Sequence, residues 1–196
     1  MAGFKPLAGI DIDKDGLETF SRNFPDSKVL LMNVRELGGR ELLSEIGFSR
    51  GEIDVMGGCP PCQGFSNVGR VKIASLVRNG IWKLENGNPR LIDDPRNLLY
   101  KEFVRLITDC NPKFFVMENV HGMLSYRNGQ LIEEAKKELE ALGYIVDYRL
   151  LDAAQLGVPQ HRKRVFLIGN RLEIRNPFPN NDPEGDEFHA LFKHMC

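Results

Sequence analysis

The chain has 196 residues, 42% of them hydrophobic and 27% charged, with a formal net charge of -1. That is enough sequence for one globular domain, and no apolar run approaches the roughly 20 residues that a membrane span needs. Four cysteines in a chain of this length do not suggest a disulfide scaffold, and Met1-Ala2-Gly3-Phe4 lacks a signal-peptide layout, so the expected compartment is the cytoplasm, or the nucleoid in a prokaryote.

Apolar runs alternate with helical patterns along the chain. Leu7 to Ile10 reads as a short buried strand ending at Asp11, and residues 15–24 carry Leu17, Phe20 and Phe24 on one helical face. Val29-Leu30-Leu31 is a second strand, residues 38–46 a helix, and Ile53 to Met56 a third strand stopped by Gly57-Gly58. Asn97 to Cys110 is a helix with Leu98, Phe103, Leu106 and Ile107 as its apolar face, ending before Asn111-Pro112. Phe114-Phe115-Val116-Met117 is strongly β-prone. Residues 130–142 form an amphipathic helix stopped by Gly143, and strands follow over Tyr144–Leu151 and Arg164–Gly169. Strands alternating with helices indicate an α/β domain around a mostly parallel sheet, with ligands beyond the C-terminal strand ends.

Charge is unevenly placed. Arg70, Lys72, Arg78, Lys83 and Arg90 crowd residues 66–92, and Arg162, Lys163, Arg164, Arg171 and Arg175 crowd residues 160–175. Basic stretches beside chemical motifs suit phosphate contacts. Residues 66–92, with Trp82, form a long segment without a clear core face, and such segments are usually functional or mobile.

Three clusters carry chemistry. The first is Cys59-Pro60-Pro61-Cys62-Gln63. A cysteine just past a strand can have its thiolate favoured by backbone amides and nearby cations. The same residues also make a Cys-x-x-Cys pair, which leaves a redox site or half a zinc site open; His189, His194 and Cys196 offer only a weak second half, so no metal is expected. The second cluster is Glu118-Asn119, whose carboxyl group can project into a ligand cleft and hydrogen-bond a ring nitrogen. A solvated turn is the alternative. The third is Gln160-His161-Arg162-Lys163-Arg164. Its even-numbered residues share one face of an extended segment, so two guanidinium groups can meet carbonyl or phosphate oxygens. A charged edge strand is the alternative.

Taken together and in this order, Gly57 to Ser66, Glu118-Asn119-Val120 and Gly157 to Phe166 resemble the motifs of the C5-cytosine DNA methyltransferases. Asp94 to Leu99 and Ala8 to Asp13 resemble two further elements of that family, and the likeness spans residues 1–178, with 179–196 as a tail toward a target-recognition region. The resemblance implies a Rossmann-like S-adenosylmethionine-dependent fold, incomplete at both ends. The family's first strand and glycine-rich turn have no counterpart before Met1, and its recognition region has none after Cys196.

By the same resemblance, Cys62 is the nucleophile toward C6 of cytosine and Glu118 contacts N3 and the exocyclic amine. Arg164, supported by Arg162, holds O2. Asp11, Ile12, Asn33 and Pro60 bind the cofactor, with Asn33 standing where the family often has Asp. Gln63, Ser66 and Arg70 contact DNA; Asn119, Pro61 and Gln160 are structural supports, Asn119 holding the backbone near Pro61. Cys59 stands where glycine is usual. The implied reaction is methyl transfer to a flipped-out cytosine in double-stranded DNA, as in restriction–modification systems. A non-catalytic fragment, a subunit completed by a second polypeptide, and the same chemistry on tRNA are the competing expectations.

Overall fold

A computed structural model of the chain describes residues 3–61 and 99–179. Among these described residues there are six strands: β1 Ala8–Asp11, β2 Lys28–Leu31, β3 Val55–Gly58, β4 Phe114–Val120, β5 Ile145–Asp152 and β6 Lys163–Asn170. Four α-helices join them: α1 Lys14–Asn23, α2 Gly39–Ile46, α3 Leu99–Cys110 and α4 Gln130–Glu140. Short 3-10 turns over His121–Leu124, Tyr126–Gly129 and Ala153–Leu156 complete the described elements.

Local chemistry explains most boundaries. Asp13 caps α1 by accepting a hydrogen bond from the Asp15 amide at 3.1 Å. α2 ends at Gly47, whose φ of 72° lies in the left-handed region. α3 stops at Cys110 because Asn111 turns to a φ of 51° and Pro112 follows. The expected helix start at Asn97 falls outside the described residues.

The strands form two groups. β1 and β2 make a parallel pair, and the second sheet has the order β3-β4-β6-β5. There β3 and β4 are parallel, whereas β4 with β6 and β5 with β6 are antiparallel. The α/β sheet is thus mixed, with two parallel and two antiparallel pairings among the described residues, because β5 returns to β6 through a local connection instead of a crossover helix. Among the described residues, β1 pairs only with β2 and β3 only with β4.

Two apolar clusters hold these groups. The larger lies between α3, α4 and one face of the second sheet, with Phe103, Ile107, Phe115, Met117, Ile132, Leu139, Val165 and Leu167 at its heart. Phe115 stacks edge-on against Phe103 and Tyr144, at centroid distances of 6.4 and 5.2 Å. The smaller cluster bridges the two strand groups: Leu42 and Leu43 of α2 join Leu37, Ile53 and Cys110, with Ala8, Ile10, Leu30 and Met56 packed around them.

One expectation is corrected, and two of the alternatives fall away. Gly57 and Gly58 do not stop β3; they belong to it, paired with Val116 and Met117. Glycine fits because α3 leans directly on this strand end: a Cβ on Gly58 would lie 2.5 Å from the Phe103 ring. Glu118 and Asn119 are not a solvated turn, since β4 runs on to Val120 and is paired with β6 throughout. Nor is the arginine-bearing segment an edge strand, because β6 lies between β4 and β5. Gly58→Ala should lower unfolding stability by about 1–3 kcal/mol through overpacking against Phe103, as read from urea denaturation; an unchanged midpoint would show that this contact gives way freely.

Candidate active site

The site grows from the β3–β4–β6 strand ends. Parallel register places Gly58 beside Met117, so Cys59 and Pro60 leave β3 alongside Glu118 and Asn119. Antiparallel register places Glu118 opposite Phe166 and Val120 opposite Arg164. Glu118 and Arg164 are thus diagonal neighbours on one face of the sheet. Arg164 Nε lies 2.8 Å from Glu118 Oε1, with the two side chains 23% and 25% exposed, respectively. Arg164 Nη1 also donates to the Lys163 carbonyl at 2.8 Å. Two contacts thus fix the guanidinium.

Asn119 faces the opposite way and is buried. Its Nδ2 donates to the Pro60 carbonyl at 3.2 Å, and its Oδ1 accepts from the Val120 amide at 2.9 Å. One buried side chain thereby ties the exit of β3 to β4. The tie is to the Pro60 carbonyl, in the peptide bond that leads to Pro61. Cys62, Gln63, Ser66 and Arg70 lie outside the described residues, and Pro60 places Cys62 two residues further along the chain.

Cys59 sits beside Glu118 and is open to solvent on one side. Burial on its other side, followed by the Glu118 carboxylate, pushes its thiol above the usual value. A redox Cys-x-x-Cys pair needs a readily formed attacking thiolate, and this environment disfavours one at Cys59. Among the described residues, no three His, Cys, Asp or Glu side chains converge as metal ligands.

Arg162 and Gln160 both precede β6 and are exposed. Of Gln160, Arg162 and Arg164, only Arg164 lies within β6. Arg162 is held through its backbone, its amide donating to Asp152 Oδ1 at 2.9 Å and its carbonyl accepting from the Ala153 amide at 3.1 Å.

The cofactor candidates occupy the ends of β1 and β2. Asp11 Oδ1 accepts from the amides of Ile12 and Asp13 at 2.7 and 3.0 Å, which orients the carboxylate at the strand end. Ile12 is 73% exposed, an unusual position for a large aliphatic side chain. Asn33 follows β2 and accepts from the Arg35 amide at 3.1 Å. An oriented carboxylate beside an exposed aliphatic face and an amide side chain fits a nucleoside: ribose hydroxyls on the acid, an apolar wall for the base.

Two residues matter here that the sequence reading passed over. Arg105 of α3 donates to the carbonyls of Val34 and Leu37 at 2.9 and 3.0 Å, fixing the segment that begins at Asn33. Its Nε donates to Glu102 at 2.8 Å, and that i,i+3 spacing was the available signal. Asp152 is a nearly enclosed acid at a strand end, which is the signal for the other.

The fold places the chain among Rossmann-like methyltransferases. It superimposes on a putative DNA modification methyltransferase encoded within an Escherichia coli prophage with a TM-score of 0.67 and 28% identity, over 89% of this chain and 43% of that one. It also matches the fold of Spodoptera frugiperda DNMT2, with a TM-score of 0.60 and 23% identity over 90% of this chain and 46% of that chain.

The family model for C-5 cytosine-specific DNA methylase matches residues 1–190, and the chain belongs to that family. It is 36% identical to the Type II methyltransferase M1.HphI of Haemophilus parahaemolyticus over 97% of this chain and 46% of the relative. It is also 36% identical to the Type II methyltransferase M.AquIA of Picosynechococcus, over 91% of this chain and 68% of the relative. The chain thus spans under half the length of M1.HphI. No described helix is long and apolar enough to cross a membrane.

The raised Cys59 thiol generates a prediction. At pH 8, alkylation of Cys59 by iodoacetamide, followed by peptide mass spectrometry, should be slower than that of an unstructured peptide thiol. A rate equal to or above the peptide's would restore Cys59 as a redox candidate.

Proposed function

We propose that this chain carries the catalytic site of a DNA (cytosine-5)-methyltransferase. The observation that supports the reading most directly is the Glu118–Arg164 pair at 2.8 Å, set beside the Asn119–Pro60 tie that leads into Cys62. A cytosine ring edge offers an acceptor at N3, a donor amine at N4 and an acceptor at O2. A carboxyl group and a guanidinium fixed side by side match that edge.

In this reading the target cytosine leaves the duplex stack, at a cost of a few kcal/mol. Glu118 hydrogen-bonds N3 and the exocyclic amine, while Arg164 holds O2 and Arg162 supports the same pocket. The Cys62 thiolate forms a bond to C6, and the electron pair of the C5–C6 double bond moves toward C5 and the ring edge that Glu118 steadies. S-adenosylmethionine, when bound, supplies an electrophilic methyl group for C5. Loss of the C5 proton and β-elimination of Cys62 restore the aromatic ring and the free thiol. Asp11, Ile12, Asn33 and Pro60 would hold the cofactor; Gln63, Ser66 and Arg70 would meet the DNA backbone.

A second polypeptide that adds a strand and a recognition region is a further part of this proposal. The complete activity is therefore assayed with the protein alone and with a polypeptide carrying such a strand and a recognition region.

Methyl transfer from labelled S-adenosylmethionine to C5 of cytosine in duplex DNA tests the reading. Glu118→Gln should lower kcat by about 100-fold or more, as loss of a positioned proton donor does, and Cys62→Ser should abolish turnover. A wild-type rate for Glu118→Gln would remove Glu118 from the mechanism. Transfer to tRNA but not to duplex DNA would redirect the substrate assignment.

A further inference from the structure

Arg162 precedes β6 and is exposed. Its backbone is held from the β5 side, by the Ala153 amide and by the side chain of Asp152. This acid closes β5 opposite Lys163, and its side chain is only 10% exposed. Its Oδ1 accepts from the amides of Arg162 and Ala154 at 2.9 and 3.2 Å. Its Oδ2 meets His161 Nδ1 at 3.2 Å. The return bond from the Ala153 amide to the Arg162 carbonyl closes a ring around the neck of the ten-residue connection 153–162. Inside that connection, Gly157 turns to a φ of 84° and the Val158 amide returns to the Ala153 carbonyl.

One carboxylate thus gathers both ends of the loop and the residue next to Arg162. Its hydrogen bonds to His161 and to the two amides hold its charged form below the usual carboxylate range, against the opposing effect of burial. It therefore stays an acceptor across the neutral range.

We propose that Asp152 is a positioning residue that fixes the 153–162 loop and the chain's entry into β6 two residues before Arg164, acting through the Arg162 backbone rather than on substrate. The inference rests on the methyltransferase reading of the Glu118–Arg164 pair. An ångström of misplacement at a reacting site is costly, and an untethered entry into β6 would wander by more than that.

Hydrogen exchange and kinetics test it together. In Asp152→Ala, amides of residues 153–163 should exchange about tenfold faster or more than in the wild type, while the β4–β6 ladder amides remain protected. Asp152→Asn keeps a carbonyl acceptor for both amides and should restore most of the protection. In the methyl-transfer assay, Asp152→Ala should lower kcat/KM by about 10- to 100-fold, and Asp152→Asn by much less. Arg164→Ala combined with Asp152→Ala should be no worse than Arg164→Ala. Additive losses, or unchanged exchange over 153–163, would overturn the proposal. A wild-type protein that shows the exchange difference but transfers no methyl group to cytosine overturns the reading of the site instead, and leaves the hold of Asp152 on Arg162 standing.

Discussion

Everything at the candidate site depends on the register between β4 and β6. Side chains alternate across a sheet, so a slip of one residue would carry Glu118 to the helix-covered face and Phe115 to the open one. Phe115, Met117, Val165 and Leu167 are all buried under α3 and α4, and burying each such side chain contributes roughly 1.5–3 kcal/mol. The core thereby sets the register, and the register places Arg164 diagonally beside Glu118 on the other face. The site inherits its geometry from packing that has no chemical role.

That dependence explains what could be read from the sequence. The strongly apolar run Phe114–Met117 and the periodic faces of α3 and α4 announce themselves, since each follows one period and one side of burial. The motifs around Cys62, Glu118 and Arg164 were legible because their order and spacing form a pattern. Other features were not. Gly57 and Gly58 look like a stop locally, and only the Phe103 ring above shows why a strand there must be glycine. Arg162 and Arg164 look equivalent at a spacing of two, yet β6 begins between them. Asp152 and Arg105 act across gaps of 10 and about 70 residues, distances at which no local pattern speaks.

The two strand groups divide the labour. The β1–β2 pair carries the oriented Asp11 carboxylate and the exposed Ile12, while the β3–β4–β6 ends carry Glu118, Asn119 and Arg164. The α2 helix is the bridge, burying Leu42 and Leu43 against side chains from both groups. Cys59 limits what a Cys-x-x-Cys spacing means: burial and the neighbouring Glu118 carboxylate raise its thiol, away from the reactive form.

The central claim is that Cys62 attacks cytosine within this site, and a mechanism-based trap tests it directly. Duplex DNA containing 5-fluorocytosine at the target position blocks the loss from C5 that would release the enzyme. Incubated with S-adenosylmethionine and the protein, it should yield a covalent DNA–protein adduct that maps to Cys62. The Cys62→Ser variant should give none. An adduct formed equally well by that variant, or mapped to another residue, would contradict the account.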